Sequence, residues 1–152
     1  MKIRTDFVTN SSSSSFIVEF KDVPKTKEDV IDIFFKSEKM AGCSCYQGKS
    51  IEELAEFFLR VLNESKVNLN QLINELSYSD VIPNAPLYYD YESEEAYEFA
   101  NAVFFTDYIS KNYTNLDNVY SMEFEDCGTE YYWENGELFD RSGLNYHYIS
   151  HH

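Results

Sequence analysis

Between Asp80 and Asp140 this chain has almost no positive charge, with Lys111 the one base among fifteen Asp and Glu. That shortage argues against direct nucleic-acid binding and against docking on an anionic membrane, because a field of one negative sign repels both. Long apolar runs are missing as well. Nothing approaches the roughly 18 consecutive apolar residues of a membrane helix, so no membrane partner is expected. Lys2 and Arg4 are followed by Asp6 and a polar run at 9–15, where a secretion signal would be apolar. Cysteine is scarce: Cys43, Cys45 and Cys127 fit a reducing compartment in which thiols stay free, and a cytoplasmic location is expected. Histidine is confined to the last six residues (His147, His151, His152), where a frayed end would hold no ring rigidly enough for catalysis.

What is present is a folding sequence. Despite a net charge of -15, its 43% hydrophobic and 17% aromatic content argues against disorder. Its 152 residues suit one domain, with the segment from Pro83 to Pro86 the one plausible internal break. Residues 15–20 read as a strand with Phe16, Val18 and Phe20 on one face, and 2–8 as its partner through a loose hairpin. Helices are expected over 27–39 (capped by Thr26), from a capping box at Ser50 to Glu53 through Leu62, around 69–76, and over 94–111 behind Ser93. The inner face of the last is either Tyr97, Ala100, Phe104 and Tyr108 or the neighbouring Phe99 and Val103. Alternation at 119–125 predicts a strand. Asn135-Gly136 predicts a hairpin joining 129–134 to 137–140, with Glu130 beside Arg141. The expectation is α+β: four helices packed on one face of a mainly antiparallel sheet, with an N-terminal strand or hairpin and a C-terminal three-stranded meander.

Catalytic motifs fail on spacing. Gly48-Lys49-Ser50 resembles the end of a phosphate-binding loop, but Gly42 lies one residue too far away and a helical stretch precedes it. Cys43, Cys45, Cys127 and His147 could supply four zinc ligands, yet only one close pair exists. Glu94 with Glu98, and Glu123 with Glu125, are spaced as solvated polar faces rather than as an acid–base pair. The run 90–95 lacks the glycine of a calcium loop. No cofactor is expected. The stronger signal is tyrosine: Tyr88, Tyr89, Tyr91, Tyr97, Tyr108, Tyr113, Tyr120, Tyr131 and Tyr132 all lie inside the acidic stretch. Tyrosine offers a large rigid contact area with a polar tip, which suits protein interfaces.

One segment carries a resemblance. Lys2-Ile3-Arg4-Thr5-Asp6-Phe7-Val8-Thr9-Asn10, the serines Ser11 to Ser15, and Phe16-Ile17 resemble the opening of many small uncharacterised proteins of Firmicutes and their phages. The likeness spans about sixteen residues and implies a bacterial or mobile-element origin, without an activity or site residues. Five consecutive serines read as a turn or flexible loop, or else as a modification tag beside Lys2 and Arg4.

These readings point to a non-enzymatic module that docks an acidic tyrosine-rich face onto a basic protein surface, with a mimic of nucleic acid as one version. The expected contact residues are Tyr88, Tyr89, Asp90, Tyr91, Glu92, Glu94, Glu95 and Glu98, joined by Glu134 and Glu137 at the hairpin. A small hydrolase or transferase using clustered carboxylates, with or without a divalent metal, is the alternative from another class. A self-associating structural component is a third.

Overall fold

Strand formers in the segment SSSFIVE build the central strand of the molecule. The structure, a computed structural model, describes residues 13–79 and 82–151. In chain order its elements are β1 (Ser13–Glu19), α1 (Lys27–Phe34), α2 (Lys36–Met40), the short strands β2 (Cys45–Tyr46) and β3 (Lys49–Ser50), α3 (Ile51–Asn63), α4 (Leu69–Leu76), α5 (Glu94–Asn112), β4 (Val119–Glu125), α6 (Tyr131–Glu134), α7 (Glu137–Ser142) and β5 (Asn145–His151). The fold is α+β around a three-stranded antiparallel sheet in the order β4-β1-β5. The partner expected at 2–8 lies outside the described residues. The described partners of β1 come instead from the C-terminal third, with Phe16 opposite Met122 on one side and Tyr148 on the other.

The serine run is corrected in part. Ser13, Ser14 and Ser15 are buried strand residues, not a flexible loop, so in the folded chain they are not presented for modification.

Alternation along β1 sends side chains to both faces of the sheet, and each face has its own core. Phe16 and Val18 join Met122 and Phe124 beneath α1, α3, α6 and α7, in a cluster centred on Phe34, Phe58, Trp133 and Phe139. Ile17 joins Val119 and Ile149 on the other face, covered by Leu72 and Leu76 of α4 and by Phe105 and Ile109 of α5. Helices therefore cover both faces rather than one, because β1 and β4 carry apolar side chains on both. Burying each large apolar side chain contributes about 1.5–3 kcal/mol.

The helix expected over 27–39 is interrupted at Phe35 (φ -125°, ψ 27°). Adjacent Phe34 and Phe35, at this break, are both fully buried in the same core cluster.

The C-terminal meander is also corrected. Asn135 is helical (φ -74°) and Gly136 left-handed (φ 81°), so this dipeptide ends α6 and starts α7 instead of turning a hairpin. The Gly136 amide donates to the Trp133 carbonyl at 3.2 Å, as at a helix C-terminus. The helical geometry buries Trp133, Leu138 and Phe139 together. The expected Glu130–Arg141 pair does not form, since Arg141 pairs with Glu38. The two-residue hairpin among the described residues turns at Gln47 (φ 49°) and Gly48 (φ 81°).

Candidate functional site

The connection from α4 to α5 reaches the surface through a chain of local turns. Asn84 sits in the left-handed region (φ 64°) between Pro83 and Pro86. A turn of 3-10 helix follows at Tyr88–Asp90, closed by the Asp90 amide donating to the Leu87 carbonyl at 3.0 Å. Ser93 caps α5, its hydroxyl accepting from the Ala96 amide at 3.1 Å. Glu94 and Glu95 occupy the first helical turn, where the helix dipole favours negative charge.

These turns gather aromatic rings. Tyr88 and Tyr97 meet edge to face at 5.3 Å, Tyr88 and Tyr89 at 5.9 Å, and Tyr91 leans on Tyr97 at 6.0 Å. Tyr97, half-buried on the first turn of α5, thus holds Tyr88 and Tyr91, while Tyr89 projects with 94% of its surface exposed. Asp90, Glu92, Glu94, Glu95 and Glu98 are all exposed, and none has a basic partner among the described residues. Eight of the ten expected contact residues therefore lie in one continuous acidic, aromatic surface.

Beside it α5 shows a second feature that the sequence left undecided. The helix buries Phe105 and Ile109, with Tyr97, Ala100, Phe104 and Tyr108 half-buried at the margin. Phe99 and Val103 instead face outward, 72% and 57% exposed. They help line an open groove of about 630 Å³ that Pro86, Tyr91 and Asp107 also line.

The other two expected residues do not belong to this surface. Glu134 is buried and accepts a hydrogen bond from the Ser14 hydroxyl at 2.8 Å. Glu137 is exposed but accepts from the Tyr46 hydroxyl at 3.1 Å. Both lie on the α6–α7 side of the sheet, whereas α5 packs on the opposite face. Reading 134–137 as a hairpin had placed them wrongly.

His147 is not frayed. It lies on β5 with both ring nitrogens engaged, Nε2 with the Tyr108 hydroxyl and Nδ1 with the Tyr113 hydroxyl, each at 2.9 Å. Burial lowers the pKa of His147 and raises those of both tyrosines, so the three groups are held neutral. The arrangement ties β5 to α5. Cys43, Cys45, Cys127 and His147, which could have supplied zinc ligands, form no such group among the described residues. Cys127 instead groups with Glu125 and Glu130, their ligand atoms within 4.8 Å of one another at the exposed end of β4. Desolvation and the two carboxylates raise the pKa of that thiol. Gly48 and Ser50 form no phosphate cradle: Gly48 turns the hairpin, and Ser50 caps α3 by accepting from the Glu53 amide at 3.4 Å. The second half of the expected capping box is replaced by a Lys49–Glu53 ion pair at 3.0 Å. Among the described helices none is long and apolar enough to cross a membrane. Compared with protein-family models, curated proteins and solved structures, the chain matches none.

Proposed function

We propose that this chain is a non-enzymatic binding module of bacterial or mobile-element origin. Its surface from Tyr88 to Glu98 docks onto a basic surface of another protein. The observation that supports this reading is the conjunction at one place of five exposed carboxylates without basic partners among the described residues and a ring cluster preorganised by Tyr97. Rigid aromatic anchors supply contact area at low entropic cost, and charges around them steer a cationic partner and exclude anionic ones. A host nucleic-acid enzyme is a basic protein of the expected kind.

The test is affinity capture from a bacterial lysate at low salt, followed by a salt wash and mass spectrometry. The same capture is run with Asp90, Glu92, Glu94, Glu95 and Glu98 changed to Asn or Gln. Basic proteins should be retained by the native chain, released by salt and missed by the variant. Retention that ignores both salt and the substitutions would remove the reading.

A further inference from the structure

We infer that the partner presents an amphipathic basic α-helix, seated along α5 in the groove beside Tyr91. This rests on the reading of the acidic surface as a docking face and specifies what docks there. Glu95, Phe99, Val103 and Asp107 are spaced four residues apart on α5, so they form one row along the exposed side of the helix. The row reads acid, apolar, apolar, acid, and spans about 18 Å at 1.5 Å per residue. Phe99 and Val103 are exposed, Pro86 and Tyr91 stand beside them, and Asp90 and Glu92 flank Tyr91. The complement of such a row is a pair of apolar side chains one turn apart, bracketed by Lys or Arg.

Backbone chemistry selects a helix as the occupant. The groove is lined by α5 and the loop at 84–91, and no sheet strand contributes to it. An extended peptide would bury its amides against apolar side chains with nothing to pair them, whereas a helix satisfies its own. The apolar centre also separates this surface from a mimic of nucleic acid. A phosphate-binding site offers cations and donors, and would leave Phe99 and Val103 unmatched. At the far end Asp107 pairs with Lys111 at 2.9 Å, an exposed contact that a partner cation can replace.

The experiment uses the full chain and two fluorescent synthetic peptides of about 18 residues, long enough to match the groove. Both contain the same leucines and lysines. In one the leucines share a helix face, and in the other the order is scrambled. Fluorescence anisotropy at moderate salt should show the amphipathic peptide binding at least about tenfold more tightly. Phe99→Ser and Val103→Ser, at positions the core does not use, should reduce its affinity to that of the scramble with the circular dichroism spectrum unchanged. Glu94→Gln, Glu95→Gln and Glu98→Gln together should weaken both peptides. Equal affinity for the two peptides, still sensitive to the Glu→Gln set, would overturn the helix and leave the basic-partner reading standing. Failure of both peptides to bind at low salt would overturn both. Light scattering that shows native dimers lost in Phe99→Ser would overturn the helix in favour of a second copy of this chain.

Discussion

At the scale of single residues, burial decides which polar groups hold the fold and which are available to a partner. His147 is half-buried between the hydroxyls of Tyr108 and Tyr113, with the Glu19 carboxylate also acting on Tyr113. Its pKa in the fold is lowered by burial from the ordinary 6.5. Below that value the unfolded chain takes up a proton that the folded chain resists, so stability present at neutral pH is lost on acidification. Glu130 shifts the other way, because burial raises its carboxyl pKa and its contribution is lost as pH rises. Comparison with His147→Asn cancels that background: between pH 7.5 and 5.5, roughly one unit either side of a free histidine, the native chain should lose more of its urea midpoint. Equal losses would show that the ring is not held neutral. Tyr113→Phe leaves a ring nitrogen without its partner and should cost about 1 kcal/mol. Glu134 gives a second contrast. As the buried acceptor from Ser14, its replacement by Ala should lower stability by about 1–3 kcal/mol. Partner affinity, measured well below the unfolding midpoint, should stay unchanged.

At the scale of elements, glycine shows why part of this fold could not be read from sequence. A left-handed glycine serves a two-residue hairpin and a helix C-terminus equally well. Asn135-Gly136 was therefore ambiguous, and the burial of Trp133, Leu138 and Phe139 against Phe16 and Phe34 decided for helices. Gly136→Ala should destabilise by about 1–2 kcal/mol, because φ is 81°, a left-handed conformation that a Cβ disfavours. A denaturant midpoint equal to that of the native chain would contradict this backbone assignment. Where a capping residue marked the start, as at Thr26 for α1, Ser50 for α3 and Ser93 for α5, the helices were legible within a residue or two at their starts. The strand character of Ser13 and Ser14 was not, since serine favours turns and only pairing with β4 and β5 holds it extended. The same division applies to the candidate site. Charge and tyrosine singled out residues 88–98 as a candidate surface. The outward face of α5 stayed hidden because apolar residues occur on both of its sides and give no single stripe.

For the whole molecule, the sheet divides the acidic stretch between two sides, and that division makes charge act on binding and on stability in opposite senses. Asp90 to Glu98 lie with α5 on one face, while Glu137 and Asp140 lie with α7 on the other, where they accept hydrogen bonds from Tyr46 and Tyr146. A net charge of -15 on a chain this small opposes compaction through self-repulsion. Screening relieves that repulsion, since the Debye length falls from about 30 Å at 0.01 M salt to about 8 Å at 0.15 M. Sodium chloride over that range should therefore raise the thermal midpoint, while the same additions weaken a cationic partner by screening the attraction. Chloride is the correct choice, because sulfate would stabilise through exclusion from apolar surface whatever the charges do. Neutralising Glu94, Glu95 and Glu98 should reduce both salt responses. Neutralising Glu137 and Asp140 should leave the salt response of binding intact, because those carboxylates face away from the groove. A thermal midpoint that falls with added chloride would mean that attractive ion pairs such as Arg141–Glu38 and Lys39–Asp32 outweigh the self-repulsion of the chain.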